Sequence, residues 1–245
     1  MSVICCADSK LRFLIEYLRL YKMPIISPDK LHAYLHSHTV NQLFIAQNTE
    51  QFPSLDNLPE HIQINVINTE QLSCTDKRNT FLTLLSNLEK QTRRTVRVYD
   101  YSTANTVYLK SPFTLSPYLN NQPETILLES LLLSSPKRYD IAFIGHPSSR
   151  RMLVLQQLRE RGFTIWFSNQ EFGIERDIQV AQCKLLLNIH WSETACIFES
   201  IRCNRWLFAG LPVITEQSID KPNHPLLTIA SYDDLVETVQ RVLKA

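Results

Sequence analysis

Short apolar runs alternate with stretches of helical periodicity along this chain. Val3–Cys6 and residues 43–46, 62–67 and 95–99 each read as a strand. Between them, Leu11, Leu14, Ile15 and Leu18 recur at helical spacing, and Phe81, Leu84, Leu85 and Leu88 do so again. Ser27-Pro28-Asp29 reads as an N-cap with proline at the first helical position. The helix it opens turns Leu31, Tyr34 and Leu35 inward.

The second half repeats the alternation. Pro112, Pro117 and Pro123, with Asn120-Asn121, predict a linker. A helix over 125–133 follows, then strands at 140–144, 163–167, 185–189 and 212–215. Met152, Leu155 and Leu158 mark a helix that stops at Gly162. Ser231 with Asp234 forms a capping box for a last helix, striped by Leu235, Val239, Val242 and Leu243. Repeated β-α units imply parallel sheets covered on both faces. The expected fold class is α/β, and ligands of such sheets bind at the carboxyl ends of the strands.

Composition narrows the function. The 245 residues suit one large domain or two small ones. A net charge of +1 gives no electrostatic reason to expect nucleic acid as a partner. The N-terminus has no basic region before its short apolar run, so it reads as a first strand and not a signal peptide. No apolar stretch approaches the roughly 18 residues of a transmembrane segment. The six cysteines show no C-x-x-C pair and read as free thiols. All four glycines fall between Gly145 and Gly210.

Three places carry candidate chemistry. In Ile144-Gly145-His146-Pro147-Ser148-Ser149-Arg150-Arg151 a strand ends, a glycine turn follows and a helix begins with two arginines. Helix N-termini attract phosphate, and arginine adds charge-assisted bonds to its oxygens. The plain alternative is an ordinary turn with solvated arginines. The motif is neither a dinucleotide fingerprint nor a P-loop. In Phe172-Gly173-Ile174-Glu175-Arg176-Asp177 a glycine loop precedes a helix, and either holds a nucleobase or is simply a capped turn. The third place is Asn188-Ile189-His190-Trp191 with the helix expected over 197–208. There Ile197, Phe198, Ile201 and Phe208 share an apolar face, and Glu199, Arg202 and Trp206 share another. Arg205 falls in the apolar sector, so it either snorkels or meets an anion. Glu199 suits a ribose or sugar hydroxyl, or else an intrahelical pair with Arg202. His32 and His36 lack the glutamate of H-E-x-x-H, and no metal site is expected.

The order Tyr139-Asp140-Ile141-Ala142-Phe143-Ile144-Gly145, Glu175-Arg176-Asp177, Leu186-Leu187-Asn188-Ile189-His190, Ile197-Phe198-Glu199, Arg202, Asn204-Arg205 and Gly210-Leu211-Pro212-Val213-Ile214-Thr215-Glu216 resembles the donor-binding half of GT-B glycosyltransferases. It is similar to small members found in large DNA viruses and some bacteria. Ile67-Asn68-Thr69-Glu70-Gln71-Leu72 and Tyr99-Asp100-Tyr101-Ser102-Thr103-Ala104-Asn105 extend the likeness. The resemblance implies two Rossmann-like domains facing a cleft: residues 1–118 for the acceptor, 119–230 for a nucleotide sugar, and a helix at 231–245 crossing back onto the first. It implies a metal-independent enzyme without a cofactor, using a UDP-, GDP- or dTDP-linked donor and a glycan acceptor. A cytoplasmic location is expected, the host's if the chain is viral. The donor residues so implied are Gly145, His146, Arg150, Gly173, Arg176, His190, Glu199, Arg202 and Arg205. If the enzyme inverts, Asp8, or else Glu70, is the expected base; the alternative for either is a helix cap or a structural hydrogen-bond acceptor. The family's E-x7-E pattern is missing, since Leu207 stands eight positions after Glu199. The alternatives are a non-catalytic nucleotide- or glycan-binding protein of this fold and a GT-B-shaped sugar-nucleotide epimerase.

Overall fold

The computed structural model describes residues 3–6, 12–19, 23–46, 55, 58–109, 113–114 and 123–244. Asp8, and Pro112, Pro117 and Asn120-Asn121 of the expected linker, lie outside them. The chain divides into two compact units, Met1–Pro117 and Tyr118–Ala245.

The first unit contains β1 (Val3–Cys6), α1 (Arg12–Arg19), β2 (Ile25–Ile26), α2 (Leu31–Ser37), β3 (Gln42–Ala46) and β4 (Gln63–Asn68). It continues with α3 (Thr75–Thr92), β5 (Arg97–Asp100), a 3-10 turn (Thr103–Tyr108) and β6 (Phe113–Thr114). Its sheet is parallel throughout, in the order β2-β1-β3-β4-β5-β6. Leu43, Ile45, Ile64 and Val66 meet Leu31 of α2 and Phe81 and Leu88 of α3 in one core. Ser27 and Pro28 open a short 3-10 turn that runs into α2, without the side-chain cap expected of Ser27.

A buried polar clasp ties the loops after β4 and β5 together. Asp100 accepts from Asn68 Nδ2 at 2.7 Å, Asn105 Nδ2 at 2.9 Å and Ser102 N at 2.9 Å. Asn105 Nδ2 also donates to Glu70 O at 2.9 Å, and its Oδ1 accepts from Leu72 N at 2.8 Å. Glu70 N donates to Asn68 Oδ1 at 3.0 Å, so the Glu70 backbone is held from both sides. Burial outweighs these hydrogen bonds, and one from the Tyr101 backbone, and pushes the Asp100 carboxyl up to about 6.

The second unit contains α4 (Pro123–Ser134), β7 (Tyr139–Ile144), α5 (Ser149–Glu160), β8 (Ile165–Ser168), α6 (Gly173–Ala181) and β9 (Cys183–Asn188). After these come α7 (Ser200–Phe208), β10 (Val213–Glu216), β11 (Leu227–Ala230) and α8 (Leu235–Lys244). The sheet is again parallel, in the order β11-β10-β9-β7-β8. Counted from its own first strand this is the 2-1-3-4-5 order of flavodoxin-like sheets. The strand order reverses between β7 and β9, which makes their carboxyl ends the topological switch point. Alternation along the strands feeds two cores. Ile141, Phe143, Leu185 and Leu187 face α5 and α8, while Ala142, Leu186 and Val213 face α4, α6 and α7.

In the last helix, Leu235, Val236 and Val239 of α8 join the second unit's own core. The capping box does form, with Asp234 N donating to Ser231 Oγ at 3.2 Å and Ser231 Oγ donating to Asp234 Oδ2 at 2.6 Å. The expected common face of Glu199, Arg202 and Trp206 is corrected. Helix α7 begins only at Ser200, with Glu199 at its N-cap, and it turns Cys203, Trp206 and Leu207 into the core.

An ion network joins α4, α6 and α7. Arg205 donates to both oxygens of Asp177, at 3.0 and 2.8 Å, and to Glu124 Oε1 at 2.6 Å. Arg176 reaches Asp177 Oδ1 through Nε at 3.0 Å and Nη2 at 2.8 Å. Two cations meet two carboxylates, and the charges balance. Among the described residues no helix is long and apolar enough to cross a membrane.

Removing one partner of such a network strands a buried charge. Asp177→Ala is expected to lower stability by about 3 kcal/mol or more in urea unfolding. Lys184→Ala, which breaks an exposed pair with Asp140, should cost less than about 1 kcal/mol. Similar losses for both would remove the network's structural role. Asp100 predicts a pH effect. The folded protein keeps its proton up to about pH 6, above the ordinary value of 3.8. Its contribution to stability is therefore full below about pH 4 and lost as pH rises through about 6. Unfolding free energies between pH 4 and 7 should converge on, or cross, those of Asp100→Asn by about 2–3 kcal/mol. Parallel pH profiles would contradict this.

Candidate functional site

The switch point is built from the ends of β7, β9 and β10. Gly145 follows β7 with φ +146, a region that favours glycine, and its N–H donates to Ser168 O at 3.0 Å. A Cβ here would lie 3.2 Å from Arg151 Nη1 and 3.5 Å from Arg202 Cζ. Two guanidinium groups therefore converge over the bare face of the glycine. Ser148 caps α5, accepting from Arg151 N at 3.4 Å.

Arg151 is the unusual member. It is only 3% exposed, yet its partners are carbonyls and not carboxylates. Nε donates to Ile189 O at 2.9 Å and Nη1 to His146 O at 3.0 Å. The guanidinium also sits 5.5 Å from the Trp191 ring and 5.7 Å from that of Phe143. Burial, and next the repulsion of Arg202, bring it down to about 10, and Glu199 opposes the shift. It remains a cation at neutral pH. Half-buried Arg202, on α7, donates to Asn188 Oδ1 at 3.2 Å, and Asn188 Nδ2 in turn donates to Thr215 Oγ1 at 3.0 Å. Neutral oxygens hold both arginines in place, and Glu199 and Glu216 act on Arg151 only through space, an arrangement that leaves guanidinium donors for phosphate oxygens.

The neighbouring Arg150 is used differently. It forms a two-pronged pair with Glu216, at 2.5 Å from Nη1 to Oε2, and lies 3.6 Å over the Tyr232 ring. Glu216 Oε2 also accepts from His190 N at 3.0 Å. His190 is buried, and its Nε2 lies 3.2 Å from both Gln217 O and Ser218 Oγ. Burial lowers its pKa, so the ring is neutral, and the bond to Gln217 O places the proton on Nε2. Nδ1 is then a buried acceptor without a partner.

The expected residues separate into two groups. The structure brings together Gly145, His146 through its carbonyl, His190, Glu199 and Arg202 around the switch point, with Glu199 at the N-cap of α7 and near enough to act on Arg151. Arg150 is engaged by Glu216, and Arg176 and Arg205 by Asp177. Gly173, at φ +66, opens α6 behind Phe172. Glu70 lies in the first unit, in an ion pair with Lys77. Sequence reasoning chose Arg150 where the structure turns Arg151 inward. Helical spacing holds the signal: Arg151, Val154, Leu155 and Leu158 form one buried face of α5. Among the described residues no cluster of three metal-ligating side chains occurs.

No protein-family model matches this chain. It is similar to proteins of Acanthamoeba polyphaga mimivirus, among them the following three. "Uncharacterized protein L137" is 32% identical over 253 residues, covering 98% of this chain and 33% of its own length. "Uncharacterized protein L140" is 34% identical over 185 residues, 73% of this chain and 58% of its own. "Uncharacterized protein L138" is 33% identical over 186 residues, 73% of this chain and 20% of its own. The chain thus spans between a fifth and somewhat over half the length of these relatives. A solved structure described as "Structure of probable two-component system response regulator/GGDEF domain protein" covers the whole chain at a TM-score of 0.29 and 10% identity, a likeness too slight to bear on fold or function.

Proposed function

We propose that this chain is a metal-independent glycosyltransferase of the GT-B kind, with the second unit holding a nucleoside-diphosphate sugar and the first serving the acceptor. The observation that carries the reading is the convergence of Arg151 and Arg202 on Gly145 at the switch point, with only neutral oxygens as their partners. Ligands of this sheet order bind there. In glycosyl transfer the bond from the sugar's anomeric carbon to the diphosphate breaks, and one from that carbon to an acceptor hydroxyl oxygen forms. Negative charge grows on the leaving diphosphate, where two fixed guanidiniums stabilise it most. The acceptor proton passes to a carboxylate. Glu70, at the carboxyl end of β4 and clamped through its backbone, is the described candidate. The likeness to mimivirus proteins fits an enzyme of a large DNA virus acting in the host cytoplasm on a glycan.

A second reading, a nucleotide-binding protein without turnover, draws on one observation. Lys77 already engages the Glu70 carboxylate and occupies one of its oxygens.

UDP, GDP or dTDP should raise the unfolding temperature of the folded chain, by about 2.7 kcal/mol of stability at a hundred times the dissociation constant. Arg202→Ala and Gly145→Ala should each keep the fold and lose most of that stabilisation, the alanine by pressing on Arg151. Full stabilisation in both variants would remove the donor site. Glu70→Gln should keep the nucleotide response and lose turnover of the matching nucleotide sugar. Unchanged turnover would exclude Glu70 as the base.

A further inference from the structure

Trp191 follows His190 in the loop that leaves β9, and its backbone is held from both sides. His190 N donates to Glu216 Oε2 at 3.0 Å, and Trp191 O accepts from Ser148 Oγ at 3.2 Å. Its indole is nonetheless 47% exposed, whereas Trp206 is fully buried and Trp166 half-buried. A large apolar ring kept in water on a fixed backbone gains free energy when a ligand covers it. The ring lies 5.5 Å from the Arg151 guanidinium. An anion bound to Arg151 and Arg202 therefore leaves the adjoining part of its molecule beside the indole.

We propose that Trp191 is the stacking platform for the nucleobase of the ligand whose diphosphate the two arginines hold. The inference rests on the anion-site reading above and adds an aromatic ring to the ligand. A base suits the site better than a sugar ring. Bases present flat π-faces that stack on an indole whatever their edges carry. Sugar hydroxyls need polar partners, and the hydroxyls next to Trp191 close the loop on itself. Ser192 Oγ lies 3.2 Å from Thr194 Oγ1 and accepts from Ala195 N at 3.2 Å.

The test titrates the wild-type chain, Trp191→Ala and Trp191→Phe with inorganic pyrophosphate, with UDP, GDP and dTDP, and with a sugar-linked form of each nucleotide, following tryptophan fluorescence and calorimetry. A nucleotide should quench the wild-type emission where pyrophosphate does not. Trp191→Ala should bind pyrophosphate as the wild type does, which also shows that it is folded. The same variant should bind the nucleotide about tenfold more weakly, and Trp191→Phe should recover most of the loss. Equal nucleotide affinity in wild type and Trp191→Ala overturns the stacking role and leaves the anion site standing. A Trp191→Ala loss seen only with a sugar-linked diphosphate overturns it in favour of the sugar. A wild-type chain that binds neither pyrophosphate nor nucleotide fails the anion-site reading itself.

Discussion

The paired bonds between Arg150 and Glu216 set the geometry on which the candidate site depends. Glu216 ends β10, Arg150 lies in the first turn of α5, and the same carboxylate takes the N–H of His190 just beyond β9. One acidic side chain thus fixes three segments at the carboxyl end of the sheet. A charge-assisted, two-pronged pair resists rotation better than single bonds do. Tyr232 closes the arrangement by stacking under Arg150 and donating from its hydroxyl to Arg150 O at 2.8 Å. Because Arg150 takes both Glu216 oxygens, Arg151 hydrogen-bonds carbonyls instead.

The second unit handles its inward arginines in two ways. Arg176 and Arg205 stand in a closed network with Asp177 and Glu124, where charge is balanced and the gain is cohesion among three helices. Arg151 and Arg202 stand beside each other, and repulsion is part of what lowers the Arg151 pKa. Two like charges kept close, one of them buried, raise the free energy of the unliganded protein. In the proposed function, a bound phosphate would lower it. That difference separates a binding site from a structural ion pair, and it explains why similar arginine motifs in one sequence carry different meanings.

Much of the architecture was legible in the sequence because a buried parallel strand writes its pattern locally. The expected strand at 140–144 is β7, that at 185–189 is β9 shifted by one or two residues, and that at 212–215 is β10 shifted by one. Strand β11 went unread because its edge position leaves Ile229 exposed and Leu227 half-buried, so no run of buried positions marks it. Helix α7 was drawn too long since Ile197 and Phe198 are buried in the loop before it, and burial without helix looks the same in sequence. The site was half legible. The glycine turn and its arginines stand out, but which arginine is free depends on Glu216, 66 residues away from Arg150. Likewise Arg205 is expected either to snorkel or to meet an anion, and it meets Asp177 and Glu124, from helices distant in sequence.

The most direct measurement is a crystal structure of the chain with UDP, GDP or dTDP, whichever stabilises it most. The account predicts diphosphate oxygens within about 3 Å of Arg151 and Arg202 guanidinium nitrogens, over Gly145, with the Arg150–Glu216 pair intact. A diphosphate bound elsewhere, or one that breaks the Arg150–Glu216 pair to reach Arg150, would contradict it.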